Sequence, residues 1–198
     1  MEYKVEVLRC PTCGANVSLN SESCEYCGNI LKISAVETLA ATPLEQINKI
    51  KTSFQALPPS EKENPSIQNT LAFCYLRLGL FKNALSAFEN AMDNFPDNPD
   101  NYFGAAVCTL NGKKPFLLNR EIVDKAESYL DAAIQLQPKA IFYFLFAYIR
   151  YDYFYRKHLR VSPTYMDVLQ KAINMGLTAS DKKKVFSLLK LEMPDALA

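Results

Sequence analysis

ALSAFENAMDNFP, residues 84–96, can be laid over AESYLDAAIQLQP, residues 126–138: Ala84, Phe88, Ala91 and Pro96 match Ala126, Leu130, Ala133 and Pro138 at steps of four, three and five. Steps of four and three put the first three residues on one face of a helix. Alanines there let a second helix approach closely, the larger residue fills the groove, and the proline ends the helix before the next begins. The chain therefore repeats a pair of packed helices, and its fold class is mainly α.

Working outward, Leu71, Ala72 and Tyr75, then Gly79 and Phe81, predict the helix that partners the first stretch and the turn between them. Tyr102, Ala105 and Ala106 do the same for the second, with eight extra residues around KKPFLLNR between its helices. A third, degenerate pair follows. Phe144, Ala147, Tyr148 and Tyr151 suit its first helix; Leu169, Ala172 and Ile173 suit a second that starts at Ser162-Pro163, with Leu177 in the proline's place. A last helix, capped by Ser180, carries an apolar stripe of Val185, Phe186, Leu188 and Leu189 opposite Lys182, Lys183 and Lys184, and is expected to cover the open end of the stack. Ahead of the repeats, Thr42, Pro43 and Glu45 read as a cap, a first-turn proline and a capping-box acid, opening a helix with Leu44, Ile47, Ile50, Phe54 and Leu57 on one face up to Pro58-Pro59. SAVETLAAT, residues 34–42, is small and polar and reads as a linker.

Before residue 34 the pattern changes to short extended pieces, KVEVLR, ANVSL and NILKI, with alternation at Lys4, Val5, Glu6 and Val7. Between them stand Cys10, Cys13, Cys24 and Cys27, spaced C-x2-C, ten residues, C-x2-C, and each pair is followed by a glycine, Gly14 or Gly28, that turns a tight knuckle. This is the spacing of one tetrathiolate Zn²⁺ site. With four protein ligands no position is open to water or substrate, so the metal's role is structural. A unit of about 30 residues cannot be held by burial alone and needs that coordination to fold. A redox reading of each C-x2-C would want a βαβ context that is missing here. The remaining cysteines, Cys74 and Cys108, lie in apolar helical stretches as packing groups.

Composition narrows the function. Lys plus Arg total 22 against 21 Asp plus Glu, so no large field of one sign draws in nucleic acid or an anionic membrane. The opening MEYKVEVLRCPTC lacks a secretory pattern, and the greasiest run, Ile141 to Ile149, is closed by Arg150 and Asp152, well short of the ~20 residues a membrane helix needs. A reducing, cytoplasmic setting is expected. The one histidine, His158, has no nearby cysteine or paired acid; Glu89, Asp93 and Glu127 are spaced as solvated residues; and no phosphate loop, G-x-S-x-G or H-E-x-x-H occurs. The expectation is a protein that is not an enzyme.

Residues 65 to 98 resemble the tetratricopeptide repeat, a 34-residue helix-turn-helix unit, through Leu71, Ala72, Tyr75, Gly79, Phe81, Ala84, Phe88, Ala91 and Pro96, and the resemblance runs on to about residue 177. It implies an array of about three repeats with capping helices, whose concave wall comes from the first helices. Family positions put Asn69, Phe73, Leu76 and Arg77 on that wall, then Phe103, Val107, Leu110 and Asn111, then Phe142, Leu145, Ile149 and Tyr153. The wall is mostly apolar, without the lysines and asparagines by which chaperone-binding members hold a terminal carboxylate. It suits an amphipathic helix or extended peptide from a protein partner. Alternatively the chain fills its own groove, with the helix from Pro43 or the one after Ser180.

The N-terminal segment resembles a zinc ribbon of the RCPTCG…CEYCG form found in many bacterial and archaeal proteins. Some ribbons grip nucleic acid. Here Lys4, Arg9 and Lys32 face Glu2, Glu6, Glu22 and Glu25 plus the charge of a tetrathiolate zinc, a balance that disfavours phosphate. The expectation is a zinc ribbon at 1–33, a linker at 34–42 and a helical repeat domain at 43–198, together a non-catalytic adaptor. The alternative is a nucleic-acid-associated factor using the ribbon or FYFLFAYIRYDYFYRKHLR, residues 142–160, where aromatics mix with Arg150, Arg156, Lys157 and Arg160.

Overall fold

The computed structural model describes residues 7–18 and 21–197. Strands β1 (Val7–Arg9) and β2 (Asn16–Ser18) pair antiparallel, with Leu8 opposite Val17 and both side chains buried. The NILKI piece contributes a single bridge, Ile30 to Ser23, and the amides of Leu31 and Lys32 bond to the Glu22 carbonyl. The alternation at Lys4 to Glu6 lies outside the described residues. From Val36 onward all the regular secondary structure among the described residues is helical, and none of those helices is long and apolar enough to cross a membrane.

The segment expected to be a linker is part of the core. Residues Val36–Ala41 form helix α1, Val36 and Leu39 are buried, and Thr42 closes it by donating to the Thr38 carbonyl at 2.7 Å. Its alanines and serine suggest a spacer, yet Ile33, Val36 and Leu39 recur at steps of three and face inward. Helix α2 (Leu44–Gln55) follows with Pro43, not Thr42, at its cap, and Glu45 pairs with Lys49 at 2.7 Å rather than closing a capping box. Ile47, Ile50 and Phe54 are buried while Leu44 is exposed. The double proline opens a short helix, α3 (Pro59–Lys62).

Helices α4 (Pro65–Arg77), α5 (Phe81–Asn94), α6 (Pro99–Thr109), α7 (Arg120–Leu136), α8 (Ala140–Ile149) and α9 (Tyr165–Asn174) pack each against the next. Asn64 and Asn98 start α4 and α6 in the same way: each side chain accepts from the amide two residues on, at 3.0 and 3.1 Å, and each is followed by a first-turn proline. Gly79, at φ +74°, lets the chain reverse between α4 and α5. Gly104 serves a different need. A Cβ built there would stand 2.4 Å from Cζ of Phe88, so the bare backbone of α6 is what admits that ring, which also meets Phe73 edge-on at 4.9 Å. Between α6 and α7 the insertion forms a short 3-10 turn, Pro115–Leu117, with the Phe116 amide on Asp152 at 2.8 Å.

Helix α8 runs on as a π-helical segment, Arg150–Tyr155, and His158 ends it with positive φ on the surface. Helix α9 starts at a Thr164/Asp167 capping box, two residues beyond Ser162-Pro163, and α10 (Ala179–Leu189) at a Thr178/Asp181 box; Thr178, not Ser180, is its cap. Instead of closing the end of the stack, α10 packs on α6 and α8. The Phe186 ring lies 4.8 Å from Tyr148 and 6.1 Å from Phe144, while Lys190 donates to the Arg77 carbonyl of α4 at 2.9 Å. The last helix thus crosses the first helices of all three pairs.

Candidate metal centre and the helical wall

The two C-x2-C-G segments fold into matching knuckles. The Gly14 amide bonds to the Cys10 carbonyl at 2.9 Å and Gly28 to Cys24 at 2.8 Å, while the Cys10 and Cys24 amides bond to the carbonyls of Ala15 and Asn29, both at 2.8 Å. Gly14 and Gly28 have φ of +75° and +72°, a region costly for any residue with a Cβ. The β1–β2 pair spaces the knuckles so that the Sγ atoms of Cys10, Cys13, Cys24 and Cys27 all lie within 4.8 Å of one another. Cys10 to Cys27 and Cys13 to Cys24 are each 3.7 Å. Sulfurs placed ~2.3 Å from one zinc at tetrahedral angles stand about 3.8 Å apart, so these two edges of the cluster already match that polyhedron.

The surroundings favour thiolates unevenly. At Cys27 the Asn29 backbone amide, then its side-chain amide at 3.4 Å, bring the thiol down to about 6. The Ala15 amide occupies the equivalent place after Cys13 and also favours the thiolate, but burial and the neighbouring thiols outweigh it and push Cys13 up to about 12. Four negative sulfurs at this spacing repel one another, and a divalent cation is the charge that lets them all ionise. Cys10 and Cys24 are buried; Cys13 and Cys27 face outward. The residues fit a closed four-sulfur metal site. Cys74 and Cys108 are buried in α4 and α6, and burial pushes Cys74 up to about 12, as inert packing groups require.

The cluster is fastened to the helices by a short strip of chain. Gln46 of α2 donates to the Ile30 carbonyl at 2.9 Å, the Ile33 amide to Thr70 at 3.2 Å, and Asn98 to the Ser34 carbonyl at 3.0 Å. Asp100, nearly enclosed at the start of α6, takes the Val36 amide at 3.3 Å and Lys139 at 2.6 Å. Burial raises the Asp100 carboxyl above its ordinary range despite the Lys139 ammonium beside it.

The residues carried over as a partner-binding wall are, with two exceptions, inside the protein. Asn69, Phe73 and Leu76 of α4, Phe103, Val107 and Leu110 of the second pair, and Ile149 and Tyr153 of the third are all buried. Phe73 packs on Phe88 and Phe103 stacks on Phe142 at 5.1 Å. Arg77, half-buried, donates to Ser187 of α10 at 3.1 Å, and Asn111, just past the end of α6, is exposed. The physical reason is α10: its apolar stripe covers the wall that the family pattern leaves open, so these positions are core, not a free groove. The basic-aromatic region is likewise largely committed. Phe142, Phe144, Tyr148, Tyr153 and Phe154 are buried, Arg150 pairs with Glu127 at 3.1 Å, and Arg156 with Asp152. Tyr155, the exposed ring, already stacks with Tyr151 and tilts on Tyr165.

Sequence reasoning missed that the segment 34–42 is core, and it held the destination of α10 only as the alternative in which the helix after Ser180 fills the chain's own groove. Ile33, Val36 and Leu39 at steps of three carried the first signal; for α10 the apolar stripe fits an end cap and a groove equally well, so the pattern alone did not choose between them. No family model, curated protein or solved structure matches the chain.

Proposed function

We propose that the chain is a non-catalytic protein-binding scaffold: a zinc ribbon fastened to an array of tetratricopeptide-like helix pairs, with the fourth thiolate filling the metal's last position so that zinc serves folding alone. The observation that carries the reading is α10 lying across α4, α6 and α8. An amphipathic helix from the chain itself occupies the place where such arrays take a partner's helix, which is the helix-in-groove mode of recognition. It is anchored by Val185, Phe186, Leu188 and Leu189, with Phe186 between Tyr148 and Phe144. A partner helix that offers a comparable stripe competes with α10 for the same wall.

The test is affinity capture with the metal-loaded full chain and its Phe186→Ser variant, at low and high salt. A protein held at high salt and enriched by the variant, whose α10 is loosened, supports the scaffold. Retention of nucleic acid that is lost as salt rises, with no protein enriched by the variant, replaces it with the nucleic-acid reading.

A further inference from the structure

We propose that the cleft between α4 and α10 binds a phosphoryl group. It is a cavity of about 220 Å³ lined by Ala40 of α1, Arg77 of α4, and Ser180, Lys183, Lys184, Ser187 and Leu188 of α10. Ser180, Lys183, Lys184 and Ser187 recur at the three- and four-residue steps that place them along one face of α10. Three cations and two hydroxyls line it, and no carboxylate does. The nearest acid on the same helix, Asp181, is held by Lys184 at 3.0 Å and by the Thr178 cap at 2.6 Å. Lys183 has no ion pair among the described residues.

Arg77 supplies the decisive detail. Its Nη1 donates to Ser187, but its Nε is buried without a hydrogen-bond partner. A buried charged donor without an acceptor is costly, and an oxyanion is the group that satisfies it. Lys190 adds further positive charge, since it bonds to the Arg77 carbonyl, and burial followed by the Arg77 charge lowers its ammonium below the ordinary range. A phosphate dianion offers three oxygens that the unpartnered Arg77 Nε, the unpaired Lys183 ammonium and the two serine hydroxyls can share, with Lys184 beside them already paired to Asp181. The site is separate from the apolar contact of Phe186 and does not depend on the scaffold reading. Its two walls lie on different helices, so a bound phosphoryl group ties α10 to α4.

The same chemistry can arrive on a protein as phosphoserine or as a free phosphate ester. Calorimetric titration of the metal-loaded full chain with inorganic phosphate and with the blocked pentapeptide Ala-Ala-phosphoserine-Ala-Ala separates the two. Both should bind at one equivalent. A peptide about tenfold tighter than phosphate assigns a protein-borne group; equal affinities assign a free phosphate ester. Arg77→Gln and Lys183→Ala should each weaken phosphate about tenfold or more, while Lys113→Ala, on the insertion, should leave it unchanged. Lys183 is exposed, so its variant decides the matter if Arg77→Gln loses helix by circular dichroism. In the wild type, saturating phosphate should also slow amide exchange across residues 179–189. No binding of either probe, binding unchanged in both Arg77→Gln and Lys183→Ala, or equal weakening in Lys113→Ala would overturn the assignment.

Discussion

Replacing Cys24 by serine, or stripping metal with a chelator, should release the knuckles and stop sharply at residue 30. Apart from its cysteines, the segment 7–29 buries Leu8 and Val17, worth about 3–6 kcal/mol together at ~1.5–3 kcal/mol each. Ordering the backbone of residues 7–18 and 21–29 costs on the order of 20 kcal/mol or more at ~1–2 kcal/mol per residue. Burial cannot meet that cost, and a metal held by the four sulfurs would supply the remainder, a structural zinc being worth ~10–16 kcal/mol in small finger peptides. Past Ile30 the balance reverses. Leu31, Ile33, Val36 and Leu39 are almost wholly enclosed by the helices, a gross ~6–12 kcal/mol of burial, comparable with the entire stability of an ordinary domain. Hydrogen exchange read by mass spectrometry should therefore show peptides within 7–29 losing protection in the metal-free chain. The Ile33 and Val36 amides, bonded to Thr70 and Asp100, should stay protected, and the helical circular dichroism should be unchanged. Exchange spreading through 31–41, or loss of helix, would show that the strip depends on the metal; knuckles that stay protected without metal would refute the coordination argument itself.

Three further outcomes follow from named contacts. Gly104→Ala should lower the melting temperature, because overpacking against Phe88 costs ~1–3 kcal/mol while alanine's helix preference returns about 1 kcal/mol; an unchanged or higher melting temperature would mean the ring has room to move. Burial raises the Glu127 carboxyl above its ordinary range against the pull of Arg150, so the folded chain keeps a proton that the unfolded chain releases. That contribution is full below the ordinary carboxylate pKa and is lost as pH rises through the folded value. Melting curves from acid to neutral pH should show the wild type losing ground to Glu127→Gln; parallel profiles would sink the assignment. Phe186→Ala should cost ~3–5 kcal/mol and speed exchange across α10 first, whereas a uniform loss over all helices would mean that α10 is not a separable cover.

What could be read ahead of the structure divides along a physical line. The cysteine quartet was legible because coordination sets both ligand type and spacing, and Gly14 and Gly28 mark where the knuckle backbone turns left-handed. The helix pairs were legible because alanines at Ala84, Ala91, Ala126 and Ala133 report close approach of a neighbour before that neighbour is known. Two things did not show. The strip at 34–42 has the composition of a spacer, and only its three-residue rhythm marks it as core, a signal carried by Ile33, Val36 and Leu39 alone. The wall of α4, α6 and α8 has the same residues whether it faces solvent, a partner or its own chain, so local pattern cannot tell a groove from an interior. Phe186 decides between them, and its destination is fixed only by long-range packing on Tyr148 and Phe144. The polar edge of the same helix escaped notice for a related reason. Lys183 and Lys184 read as a solvated face until α4 brings Arg77 opposite them, and a cluster of charge then stands where the sequence showed only an amphipathic helix.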